Sequence, residues 1–138
     1  LQKAWERVGM EEVGTRIILL DKESLKDLTA RLKKKQSPDI IVIDSVHYWL
    51  GFKMSDYMKL RQQFPDKLFI FVAHERKGEP KGSLAQNLRY DADIKIRVEG
   101  YKAFTTTRYE VAERHEGGAD FTIWEKGAAE YWANITTK

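Results

Sequence analysis

The stretch PDIIVIDSVHYW, residues 38–49, decides how the rest of the chain is read. Four aliphatic residues in succession, Ile40-Ile41-Val42-Ile43, run directly into Asp44 and Ser45. Successive side chains of a strand point to opposite faces, so a strand with one wet face alternates apolar and polar residues. An unbroken aliphatic run therefore predicts a strand covered on both faces, as in the centre of a parallel sheet. A carboxylate at the carboxyl end of such a strand stands where open α/β sheets bind ligands. Two roles fit Asp44 on this stretch alone: a ligand-facing carboxylate, or a cap that hydrogen-bonds the segment that follows.

Working outward, KLFIFVAH (67–74) is a second continuous apolar strand that ends in a polar residue, His74. Between the two, residues 54–64 predict a helix that turns Tyr57, Leu60 and Phe64 inward and is closed by Pro65. Upstream, TRIILLD (15–21) reads as a short buried strand, and Asp21 or Ser24 caps a helix with the stripe Leu25, Leu28 and Leu32. The cations of RLKKK (31–35) then oppose the helix dipole at its C-terminus. Leu1, Ala4, Trp5 and Val8 share one helical face that Gly9 ends, so the chain opens inside a helical pattern and reads as a piece of something longer. Downstream, ERKGEPKG (75–82) is charged and glycine-containing and is expected to be a mobile loop. SLAQNLRY (83–90) makes a short helix with Leu84 and Leu88 inward.

From residue 93 the period becomes two. DIKIRVEG, FTTTRYEV and DFTIWEKG read as half-exposed strands, with HEGGAD (115–120) as a turn. Phe121, Trp124, Tyr131 and Trp132 are expected to pack these terminal strands, with base stacking as the functional alternative. The order of elements predicts an α/β fold with parallel central strands and antiparallel C-terminal edge strands.

Bulk composition narrows the class. The 138 residues, 42% hydrophobic and 33% charged, describe one globular domain rather than a disordered chain. No run of 18 apolar residues is present to span a membrane as a helix. The absence of cysteine excludes disulfides and thiolate metal sites and fits a cytoplasmic location. A net charge of +3 is compatible with nucleic acid without being diagnostic of it.

Asp44-Ser45 at one strand end, His74 at the next, and a basic loop with Arg76, Lys77 and Lys81 behind it form one constellation. A strand-tip carboxylate suits Mg²⁺, which prefers oxygen ligands and keeps several waters. A histidine on the neighbouring tip suits a terminal phosphate or an attacking water. In this setting IIVIDSVHYW resembles the Walker B strand of RecA-like ATPases, most closely the bacterial RadA branch. LQKAWERVGMEE is similar to the helix after the second strand of that core, and LKDLTARLKKKQSPDIIVIDS to its helix-then-Walker-B unit. FVAHERKGE resembles the phosphate-sensing segment and the start of the second DNA-binding loop, and LRYDADIKIRVEG the helix-to-strand passage that follows. The likeness runs in order and spacing through residues 1–100.

The resemblance implies a RecA-like three-layer sandwich of which residues 1–138 form the C-terminal two-thirds, a partial domain. It implies ATP and Mg²⁺ as cofactors of the parent, with Asp44 ordering Mg²⁺ through water and Ser45 beside it in the cofactor site. It makes His74 the switch that reports nucleotide state, Arg76, Lys77 and Lys81 contacts to DNA, single-stranded for preference, and the assembly a homo-oligomer. The parent would hydrolyse ATP by in-line attack of water and serve DNA repair, recombination or unwinding; the isolated chain is expected to be inactive. Two departures stand against this pattern. The phosphate-cradling G-x-x-x-x-G-K-[ST] motif does not occur. ERHEG (113–117) places Glu113 and His115 where a subunit-bridging basic pattern is expected, with Arg114 as a partial substitute. One alternative is a degenerate RecA-like module that binds DNA or oligomerises without ATPase activity. Another is a Toprim-like Mg²⁺-dependent nuclease or primase built on Asp44, the DAD of residues 91–93 and Asp21, although Asp93 opens a strand instead of closing one.

Overall fold

The computed structural model describes residues 17–108 and 120–136. The helix expected over residues 1–8 and the stretch holding Glu113, Arg114 and His115 lie outside the described residues. What is described is a mixture of helices with small parallel and antiparallel sheets, compatible with the α/β class. The chain divides between Val72 and Ala73 into two compact units.

In the first unit, helix α1 (Leu25–Leu32) starts at Ser24, whose hydroxyl accepts from the Asp27 N–H at 3.1 Å and donates to Asp27 Oδ2 at 2.6 Å. Of the two caps the sequence offers, Ser24 is therefore the one used. Leu28 and Leu32 are buried, one helical turn apart, as the stripe predicts. Helix α2 (Met54–Gln63) opens with the Lys53 N–H on Asp56 Oδ2 at 3.0 Å and ends at Phe64, just before Pro65. It buries Tyr57 and Leu60, with Phe64 buried at its cap.

Strand β1 (Ile40–Asp44) pairs in parallel with β2 (Leu68–Val72), from Ile40 opposite Leu68 to Asp44 opposite Val72. That register puts Ile41, Ile43, Phe69 and Phe71 on one face. Phe71 meets Tyr57 edge-on at 5.5 Å and Phe52 at 6.4 Å, and Phe52 stacks on Trp49 at 4.3 Å. Helix α2 and the 49–52 turn therefore cover this face. The other face is open: Ile40 and Val42 are each 58% exposed, against 7% for Ile41. The expectation of a strand covered on both sides is corrected here. The aliphatic run is real, but among the described residues a covering layer is present on one side only. Of the strand expected over 15–21, the described part, residues 17–21, is not formed either. Ile17 to Leu20 are irregular and have no ladder partner among the described residues, and Ile18, Leu19 and Leu20 are exposed.

In the second unit, β3 (Glu75–Arg76) and β4 (Glu79–Pro80) form a minimal antiparallel hairpin where a mobile loop was expected. Its loop is Lys77-Gly78, with φ of +56° and +81°. Positive φ at both central residues is what a type I′ turn requires, and glycine takes the second position without steric cost. Helix α3 (Ser83–Asp91) follows and buries Ala85 and Leu88, with Leu84 half-buried.

Next comes an antiparallel sheet of β5 (Ile94–Glu99), β6 (Lys102–Thr107) and β7 (Asp120–Thr122). The β5–β6 loop, Gly100-Tyr101, again has positive φ at both residues, +52° and +60°. Tyr101 is held there by an edge-on contact with Trp124 at 4.9 Å and by its carbonyl, which accepts from the Ile123 N–H at 2.8 Å.

Among the described residues the period-two reading of the C-terminus holds as far as Thr122, while residues 109–119, with the end of FTTTRYEV and most of the HEGGAD turn, lie outside them. Residues Glu125–Thr136 are a helix, α4. Ala128, Tyr131, Trp132 and Ile135 stand at the i, i+3, i+4, i+7 spacing of a helical face, which is the signal that overrides the strand pattern. Trp132 meets Phe104 at 5.8 Å and donates from Nε1 to the Gly100 carbonyl at 3.1 Å, which fixes α4 over the β5–β6 hairpin.

Candidate functional site

The predicted site residues fall into two groups, one in each unit. Asp44 and Ser45 belong to the first, and His74, Arg76, Lys77 and Lys81 to the second.

Asp44 ends β1 with its side chain exposed. Among the described residues its carboxylate makes no hydrogen bond or ion pair, so the capping role left open by the sequence is not the one it plays. The backbone just beyond is fixed instead by main-chain bonds: the Val46 N–H donates to the Val72 carbonyl at 3.1 Å and the Tyr48 N–H to the Ser45 carbonyl at 3.0 Å. The Asp44-Ser45 peptide bond is cis. Ser45 differs from its neighbour. It is 4% exposed, and its Oγ has no hydrogen-bond partner. An exposed, unengaged carboxylate thus adjoins an orphaned buried hydroxyl at the tip of a parallel strand.

This donor set fits a hydrated Mg²⁺ held at one carboxylate, since that ion retains several waters and needs few protein ligands. It does not fit a dedicated protein cage. Among the described residues no group of three or more His, Asp or Glu side chains is placed to hold a metal ion. Of the carboxylates that a Toprim-like site would use, Asp21 and Asp44 belong to the first unit and Asp91 and Asp93 to the second.

His74 was expected at the tip of the second strand. That strand ends at Val72, and His74 stands two residues on, at the base of the hairpin. The Lys81 N–H donates to the His74 carbonyl at 2.7 Å, a bond that closes the base of the 75–80 hairpin. Arg76, Lys77 and Lys81 are exposed around this hairpin, with Lys77 at its apex. Glu79 forms an ion pair with Arg89 of α3, tying the hairpin to the helix. Neither partner is legible in the sequence, because a Glu and an Arg ten residues apart carry no recognisable spacing.

A depression of about 250 Å³ beside α4, lined by Lys102, Thr122, Glu125, Ala128, Ala129 and Trp132, contains none of the predicted site residues. No helix among the described residues is long and apolar enough to cross a membrane. Comparison with protein families, with curated proteins and with solved structures finds no match.

Proposed function

We propose that this chain is part of a RecA-like ATPase core of the RadA type, from an ATP-dependent DNA-processing protein. The observation that carries the reading is Asp44: a carboxylate delivered by an aliphatic strand to the carboxyl edge of a parallel pair and engaged by no other described residue. In this reading Asp44 holds hydrated Mg²⁺ through its waters, and Ser45 adjoins the same site. Mg²⁺ with ATP would supply charge neutralisation at the transferring phosphate. His74 passes nucleotide state to the hairpin whose base its carbonyl closes. The hairpin in turn presents Lys77, Arg76 and Lys81 to the phosphates of single-stranded DNA. The α/β sandwich, the homo-oligomer and a cytoplasmic location belong to the same proposal.

Mn²⁺, a paramagnetic stand-in for Mg²⁺, tests the central step. Titrated into the ¹⁵N-labelled chain, it is expected to broaden amide signals around residues 43–46 first, and Asp44→Asn is expected to abolish that localisation. Broadening spread over unrelated surface carboxylates, or unchanged in Asp44→Asn, would remove the basis of the reading. The second reading, a DNA-binding module without ATPase activity, is favoured by one observation: the hairpin closes on its own main-chain bonds. It requires DNA binding that is indifferent to Asp44→Asn and to divalent metal.

A further inference from the structure

We propose that Glu79 is a latch on the nucleic-acid surface of the second unit and that Arg89 is the contact it holds in reserve. The inference rests on the reading of the hairpin as a DNA-facing element and adds two residues that the reading does not use. Lys77 stands at the apex of a two-residue turn, and Arg76 is paired across the hairpin with Glu79. Glu79 also reaches Arg89 on α3, and both partners of that ion pair are substantially exposed.

The hairpin and α3 therefore set Arg76, Glu79 and Arg89 side by side, with Lys77 at the turn and the exposed Glu75 on the same hairpin. The cations here are Arg76, Lys77, Lys81 and Arg89, and Glu79 stands between two of them. An exposed ion pair is weak, equivalent to about a fivefold change in an equilibrium at most. A phosphate is a better partner for arginine, because a planar guanidinium meets two of its oxygens at once. A strand lying along the hairpin thus competes with Glu79 for Arg89, and the carboxylate withholds part of that contact. In the free protein the same pair holds the hairpin against α3, so that Lys77 is already presented. Arg89 is a binding residue in this scheme, and Glu79 a positioning residue that sets how much phosphate charge the surface accepts.

Fluorescence anisotropy with a labelled oligothymidylate, measured across a series of NaCl concentrations, tests the idea on the full chain. Glu79→Gln is expected to tighten binding by about two- to fivefold, the worth of an exposed pair. It should steepen the dependence of log K on log salt by about 0.7, one additional phosphate contact to a single strand. Both effects should vanish in the Arg89→Gln background. Glu75→Gln removes the same charge from the same hairpin without touching Arg89, and should leave the slope unchanged. Equal tightening by Glu75→Gln and Glu79→Gln, or tightening that survives Arg89→Gln, would reduce the effect to net charge and overturn the latch. If the chain binds and Lys77→Ala weakens it while Glu79→Gln changes nothing, the latch fails and the DNA reading stands. If no variant binds, both fall together.

Discussion

In the parallel pair, the side chains turned toward the covering helix and turn are Ile41, Ile43, Phe69 and Phe71. In the antiparallel sheet, those turned toward α4 are Arg97, Glu99, Lys102 and Phe104. The first face is covered by burying aliphatic and aromatic carbon. The second is covered by chemistry at its edges. The Arg97 guanidinium lies 4.5 Å over the Phe104 ring, Lys102 Nζ lies 5.9 Å from the Trp132 ring, and the Tyr131 hydroxyl donates to Glu99 Oε1 at 3.3 Å. Both sheets leave an aliphatic face bare: Ile40, Val42, Leu68, Ile70 and Val72 in one unit, and Ile94, Ile96, Val98 and Phe121 in the other. The two covered faces are thus stabilised by different terms, and substitution can tell them apart.

The largest effect is expected across the two faces of β1. Ile41→Ala removes a branched side chain from the covered face and should cost about 2–5 kcal/mol of local stability. Ile40→Ala, its neighbour on the bare face, should cost less than about 1 kcal/mol, because most of its surface is in water already. Urea unfolding followed by residue-resolved NMR separates the two units and reads each cost directly. Similar losses at the two positions would mean that the bare face is covered in solution. Ile96→Ala in β5 extends the comparison: it too should be nearly silent, although the sequence pattern alone assigns it to the core.

That last position shows where sequence reasoning stops. Alternation in DIKIRVEG says that β5 has two different faces, but not which one a helix will cover. The usual assumption puts the isoleucines inward. Here α4 takes the face of Arg97, Glu99 and Lys102 instead, so the assumption fails while the strand survives. Other elements were legible because a local signal sufficed. Asp21 and Ser24 narrow one helix start to two candidates, of which Ser24 is the one used, Pro65 marks a helix end, and the aliphatic runs mark β1 and β2. The site divides along the same line. Asp44 at a strand tip follows from the run before it, whereas the placement of His74 depends on a hydrogen bond to Lys81 that no pattern announces. The Gly100-Tyr101 and Lys77-Gly78 turns do carry a local signal, a glycine in a two-residue gap between strand-like segments.

The aromatic cover of the second unit is sharpened by Gly100→Ala. A Cβ built at Gly100 would lie 2.2 Å from Tyr131 Cδ1 and 2.9 Å from Trp132 Nε1, at a φ of +52° that L side chains rarely adopt. Either α4 shifts or the turn does, and such overpacking costs about 1–3 kcal/mol. The near-ultraviolet circular dichroism of the tryptophans should fall together with stability, since Trp132 donates to the carbonyl of the same residue. A loss confined to the second unit in residue-resolved unfolding is the expected result. An unchanged spectrum would mean that α4 is not seated against this turn in solution.

The smallest effect separates Ser45 from its surroundings. A buried hydroxyl without a partner costs about 1–3 kcal/mol in desolvation, and replacing it with hydrogen removes that penalty along with very little packing volume. Ser45→Ala should therefore leave the first unit as stable as before or more stable by up to about 1 kcal/mol, unlike an ordinary core substitution. A loss of more than about 1 kcal/mol would show that the hydroxyl is satisfied in solution, for instance by an internal water. The result bears on the comparison because the covered face of the described first unit is built from Ile41, Ile43, Phe69 and Phe71. If the hydroxyl contributes nothing to folding, its presence beside an unengaged carboxylate is a feature of the strand tip rather than of the core, and the tip is where the chemistry of this chain is to be sought.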